Sequence, residues 1–97
     1  MESANAQGIE TLSQWSAEFR CVLTQARIAY GNRQLGDEDF LLRVSIAFRK
    51  HGRALVRNHY AGMYVPVRVL VELEYARRWL ESLIPPKTGA WRPIAAA

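Results

Sequence analysis

Acidic residues are missing from the middle third of this 97-residue chain. All nine Asp and Glu residues lie outside residues 40–71, whereas that segment holds six of the thirteen Lys and Arg residues and both histidines. The formal net charge of +4 therefore originates in this segment. A basic segment without local carboxylates indicates a partner of opposite charge, either a polyanion or an acidic protein surface.

Cysteine is almost absent, and so are long apolar runs. Cys21 is the only cysteine, which excludes an internal disulfide. Because it lies among apolar neighbours in a helical pattern, we expect a small core residue rather than a reactive thiol. No apolar run approaches the ~18 residues that a membrane span requires, and the first eight residues lack a signal-peptide core. These absences predict a cytoplasmic protein that does not associate with membranes.

The composition is that of a small globular domain. Hydrophobic residues make up 49% of the chain and charged residues 23%, which argues against wholesale disorder. The length fits a single core. The predicted organisation is a flexible N-terminus over residues 1–8, a helical domain over 9–84 and an extended tail over 85–97.

The first helix is predicted over residues 9–30. Apolar residues recur there at steps of three and four, as on one face of an amphipathic helix. They are Leu12, Trp15, Phe19, Val22, Leu23, Ala26 and Tyr30. Gly31 and Asn32 then form a helix-stop and turn signal.

The second helix is predicted over residues 38–60, with Asp37 as its N-cap. Its apolar face comprises Phe40, Leu41, Val44, Phe48 and Leu55. At 100° per residue, five basic residues fall on the opposite side. This basic stripe consists of Arg43, Arg49, Lys50, Arg53 and Arg57. It requires the helix to continue through Gly52, where glycine costs ~1 kcal/mol relative to alanine.

The third helix is predicted over residues 66–83, although residues 63–75 also alternate like a strand. A strand there would need an intermolecular partner, since the chain offers no second convincing strand. We favour the helix, with Glu72 and Glu74 pairing with neighbouring arginines on its surface. The proline-rich residues that follow predict an extended tail. The expected fold is therefore an all-α three-helix bundle with a proline-rich C-terminal tail.

No motif for catalysis is present. His51 and His59 are eight residues apart, and neither has a Cys, Asp or Glu at metal-ligand spacing. The chain also lacks a phosphate-binding glycine loop, a nucleophile elbow and a zinc-hydrolase motif. We expect no enzymatic activity, no metal and no cofactor.

The basic stripe has three interpretations. It is a solvated face, paired internally with carboxylates such as Glu10 and Glu18; it binds an acidic protein surface; or it binds the phosphates of DNA or RNA. Our functional hypothesis is a non-enzymatic adaptor or regulator that binds an acidic protein surface, with a nucleic-acid-binding regulator as the alternative.

Two apolar features extend this hypothesis. Val67 and Val71 lie opposite the core side of the third helix, where they predict an apolar interface and leave a homodimer open. Trp91, in the tail, either packs on the bundle or inserts into a groove of a partner.

Overall fold

The computed structural model describes residues 2–83, with side chains from Gln7 onward. This part of the chain forms four helices and no strand: α1 (Glu2–Trp15), α2 (Ala17–Gly31), α3 (Asp37–Tyr60) and α4 (Val67–Leu83). The all-helical prediction is confirmed, and the strand alternative for residues 63–75 is wrong. The predicted number of helices is also wrong, because the structure has four instead of three.

The predicted first helix is divided in two at Ser16. Its backbone is extended there, with φ −134° and ψ 109°, and its hydroxyl accepts a 3.1 Å hydrogen bond from the Phe19 amide. A serine oxygen at this position satisfies an otherwise unpaired amide of the first turn, which is the role of an N-cap. Glu18 lies in that first turn, where a negative charge favours the helix dipole. Ser16 therefore begins a new helix within a continuous apolar pattern.

Helix α1 begins at Glu2, seven residues before the predicted start at Ile9. Gly8 lies against α4 at the backbone of Glu72 and at Ala76. A Cβ atom at Gly8 would overlap the Glu72 carbonyl oxygen and would lie 2.5 Å from the Ala76 Cβ. The close approach of the two helices therefore depends on glycine at this position.

The core lies between two helix pairs, because α1 packs chiefly on α4 and α2 on α3. Inside it, the rings of Phe19 and Phe48 meet edge to face at 5.7 Å, a favourable aromatic geometry. The buried apolar residues are Ile9, Leu12, Phe19, Leu23, Ala26, Val44, Ala47, Phe48, Leu55, Val65, Val69, Leu73, Ala76 and Leu80.

Helix α3 is unbroken from Asp37 to Tyr60 and passes through Gly52. A Cβ atom at Gly52 would meet no neighbour within 4 Å, so packing does not require glycine there. The N-cap of α3 is Gly36, one residue before the predicted Asp37. The Asp37 carboxylate instead accepts a 2.6 Å hydrogen bond from the Tyr30 hydroxyl and joins the end of α2 to the start of α3.

Helix α4 starts directly after Pro66, in agreement with the predicted helix over residues 66–83. Proline fits this boundary because its fixed φ suits a helix start and its missing amide is not needed there. No helix within residues 2–83 is long and apolar enough to cross a membrane. The predicted proline-rich tail, including Trp91, lies outside the described residues.

Candidate partner-binding surface

All five residues of the basic stripe are exposed on α3. They do not face a single groove, however. Arg49, Arg53 and Arg57 line a groove between α3 and α4, whereas Arg43 and Lys50 line another between α2 and α3. The five side chains spread around α3, so those at one edge lie next to α4 and those at the other edge lie next to α2.

The groove between α3 and α4, called the α3–α4 groove below, has basic walls and an apolar floor. Its volume is about 640 Å³. Arg77 of α4 faces the three arginines of α3 across it, together with Glu74 and Glu81. The floor comprises Phe48, Gly52, Val56, Leu70 and Leu73. This surface can contact apolar and anionic groups of one ligand together.

Two arginines of the groove are held by carboxylates of α4. Arg49 forms a 2.9 Å ion pair with Glu81, and Arg77 contacts Glu81 at 3.0 Å and Glu74 at 2.5 Å. The hydrogen bond from Arg77 lowers the pKa of Glu74 below its ordinary value, and the same bond raises the pKa of Arg77. Both groups therefore stay charged at neutral pH, and these pairs tie α4 to itself and to α3.

Arg53 and Arg57 have no such partner. Neither forms an ion pair with any carboxylate among residues 7–83, whose side chains the structure describes. Glu10, one of the carboxylates expected to neutralise the stripe, pairs instead with Arg27 of α2 at 3.0 Å. The central part of the α3–α4 groove therefore carries positive charge that these helices leave uncompensated.

The groove between α2 and α3 is more apolar. Leu42 and Ile46 are exposed there beside Arg43 and Lys50, and Asp39 lies on the same wall. Its volume is about 480 Å³. Its charged side chains, two cations and Asp39, sum to +1. Those of the α3–α4 groove, four arginines and two glutamates, sum to +2, so the groove between α2 and α3 is the less electropositive of the two.

Each histidine ring lies beside an aromatic ring. The His51 ring packs 6.4 Å from that of Phe19, and the His59 ring 5.2 Å from that of Tyr60. Within residues 7–83 no group of three or more His, Cys, Asp or Glu side chains converges. Cys21 is exposed on α2, so its predicted place in the core is wrong. It lies two residues from the buried Phe19, about 200° around the helix.

Val67 and Val71 are exposed on the outer side of α4, as the sequence predicts. Tyr75, four residues further on, belongs to the same exposed face. The core side of α4 carries Val69, Leu73, Ala76 and Leu80. The outer face is therefore an apolar strip on the side of α4 directly opposite its buried side.

Sequence reasoning did not assign Arg77 and Leu70, two of the α4 residues that line the groove, to a binding surface. The spacing of Glu74, Arg77 and Arg78 indicated surface ion pairs, and Arg78 indeed pairs with Glu74 at 3.0 Å. Only the packing of α4 against α3 brings Arg77 opposite Arg53, and no local pattern encodes that register. Trp91, the remaining predicted interface residue, lies beyond the described part of the chain. A comparison of the chain with protein-family models, curated proteins and solved structures found no match to any of them.

Proposed function

We propose that this protein is a non-enzymatic cytoplasmic adaptor or regulator that binds an acidic segment of a partner protein in the α3–α4 groove. The observation that carries the proposal is the pair Arg53 and Arg57, exposed and without internal carboxylates above an apolar floor. Cations on a purely structural surface are commonly solvated or paired. Two unpaired guanidinium groups beside accessible apolar surface favour a ligand that is both anionic and apolar.

The two parts of the groove have different physical roles. The arginines attract an acidic partner and fix its orientation. Salt screens this attraction beyond a Debye length of about 8 Å at physiological ionic strength. The floor around Val56 and Leu70 supplies apolar area whose burial contributes roughly 25 cal/mol per Å². Guanidinium groups also bind carboxylates through two parallel hydrogen bonds, which an ammonium group cannot do.

The experiment is affinity capture with the tagged full-length chain, read by mass spectrometry. We expect acidic proteins that the wild type retains to be lost by the double variant Arg53→Glu, Arg57→Glu. The control is Arg33→Glu, which reverses an exposed charge after α2 that is unpaired among the described residues and does not line the groove. Proteins captured equally by all three chains would contradict the proposal, because binding would then not use the groove.

A nucleic-acid-binding regulator is the second candidate, and a specific observation favours it. Arg43, Lys50, Arg53 and Arg57 extend along α3 without ion pairs among the described helices. They span 14 residues, or about 21 Å of helix, a length over which several phosphates of one strand could be contacted. A gel shift at about 50 mM salt that fades by roughly 10² at 200 mM would support it. Absence of any shift at low salt would remove it.

A further inference from the structure

The outer side of α4 carries an apolar surface that the described helices leave uncovered. Val67, Val71 and Tyr75 follow one another at four-residue steps, so they form one line along the helix. Met63 and Tyr64 precede this line and are also exposed. A line of apolar residues such as Val67, Val71 and Tyr75, in contrast to scattered single ones, marks an interaction surface. These five residues are called the α4 outer face.

Charges beside the α4 outer face are neutralised within the helix. Arg68 pairs with Glu72 at 3.4 Å, and Arg78 pairs with Glu74 at 3.0 Å. On α3, in contrast, Arg53 and Arg57 are uncompensated. Two copies of a chain with a net charge of +4 repel each other most where the charges are unpaired and least where they are paired. The α4 outer face therefore offers a second copy less repulsion than the unpaired charges of α3 do.

The available area also suits a second copy. Tyr64 is 81% exposed and Tyr75 59%, and an aromatic side chain carries roughly 150–250 Å². With Met63 and the two valines, the α4 outer face offers on the order of 500 Å² per copy. A two-fold contact would bury about twice that area in total, which corresponds to a weak and concentration-dependent dimer.

We infer that the α4 outer face binds a second copy of this chain, forming a two-fold symmetric dimer with α4 packed against α4 and Val71 near the symmetry axis. A two-fold contact uses the same patch on both copies, and one helix with an apolar line along its length meets that requirement. None of the residues of the α4 outer face lines the α3–α4 groove. The inference is independent of the proposed function because it uses a different helix face.

The first test measures the oligomeric state by sedimentation equilibrium from about 1 to about 200 µM. We expect a monomer–dimer equilibrium for the wild type and a dissociation constant raised about tenfold or more by Val71→Asp. Ile28→Asp is the control, because Ile28 is an apolar residue on α2 that is 58% exposed, against 46% for Val71. Dimerisation should persist at high salt, since it depends on apolar burial.

The second test locates the contact with a short bismaleimide cross-linker. Val71→Cys combined with Cys21→Ser should give a cross-linked dimer, because residue 71 faces its own copy near the axis. The wild-type chain is the matched control: Cys21 is exposed on α2 and should give none. Equal cross-linking of both chains would place the contact elsewhere or show random collision, and would overturn the inference.

Two further outcomes also overturn the inference. The first is a wild-type chain that remains monomeric over the whole concentration range. The second is a monomer that becomes a dimer only after Trp91→Ala, because that result would assign the α4 outer face to the chain's own C-terminal segment. Circular dichroism of each variant confirms that it is folded before its mass is interpreted.

Discussion

The hydroxyl of Thr11 donates a 2.8 Å hydrogen bond to a carboxylate oxygen of Glu72 and joins α1 to α4 across 61 residues of sequence. Thr11 is buried, and Glu72 also accepts from Arg68. The bond therefore fixes one helix against another at a point where the donor residue has little access to solvent.

Replacing Thr11 by valine keeps the shape of the side chain and removes this bond. We expect a loss of about 1 kcal/mol in the free energy of unfolding, since the Glu72 carboxylate keeps Arg68 and some solvent as partners. Urea denaturation measures it. Thr24→Val, on the exposed side of α2, is the control and should change stability by less than about 0.5 kcal/mol. An equal effect of both substitutions would contradict the role of the bond.

Gly8 and Gly52 should respond in opposite directions to alanine. At Gly8 the new methyl group would overlap α4, so α1 must move, and we expect a destabilisation of about 1–3 kcal/mol. At Gly52 it would meet nothing within 4 Å, and the higher helix propensity of alanine should stabilise α3 by roughly 0.5–1 kcal/mol. Thermal and urea unfolding of the two variants measure both. Loss of stability in both would show that Gly52 is also needed for packing.

The hydroxyl of Ser16 should stabilise the fold as the N-cap of α2. Ser16→Ala removes the acceptor for the Phe19 amide and should cost about 1 kcal/mol. Ser16→Asn keeps an acceptor at the N-cap and should restore most of this loss. If alanine and asparagine were equally tolerated in urea denaturation, the helix break would not depend on capping.

Arg53 and Arg77 face each other across the groove but should differ in stability effects. Arg53→Ala should change the free energy of unfolding by less than about 0.5 kcal/mol, because no ion pair is lost within the described residues. Arg77→Ala removes contacts to Glu74 and Glu81, and for such half-exposed pairs we expect a loss of about 0.5–1 kcal/mol. Urea denaturation at low and at high salt distinguishes the two variants, because salt weakens only the ion pairs that Arg77→Ala removes.

Acid should weaken the fold partly through Glu74. Its pKa is lowered in the folded protein, chiefly by the hydrogen bond from Arg77. A carboxyl with a lowered folded-state pKa stabilises the fold above its ordinary value of 4.5, and this stabilisation is lost as the pH falls through the folded-state value. Glu74→Gln should therefore show a shallower loss of stability below pH 4.5 than the wild type. Gln14→Ala, an exposed substitution that removes no titratable group, is the control and should follow the wild type.

Helices α3 and α4 could be predicted because their signals are local. The apolar spacing of α3, the acidic residues in its first turn and Pro66 before α4 all act within one or two turns of the residues concerned. The position of the basic stripe on the solvent side of α3 follows from the same helical spacing. Its exposure on α3 was accordingly correct, and so was the pairing of Arg78 with Glu74.

The break at Ser16 could not be predicted from apolar periodicity, because α1 and α2 continue almost the same repeat. Ser16 followed by Glu18 is a capping signal in the sequence. An N-cap is worth only about 1 kcal/mol, however, so this signal does not by itself exclude a helix that continues through Ser16. The packing of α1 on α4 favours the break over a continuous helix, and that contact joins residues far apart in sequence. The division of the basic stripe between two grooves depends on the same kind of long-range contact.

The pairing of α1 with α4 has a consequence for how the chain folds. Among the described helices, α1 is synthesised first and its main partner, α4, is synthesised last. During synthesis the face with Gly8 and Leu12 therefore remains uncovered until about sixty further residues have been added and the intervening loop has closed. We expect α2 and α3 to associate first, because they are neighbours in sequence, and α1 to dock last, in the step that completes the core.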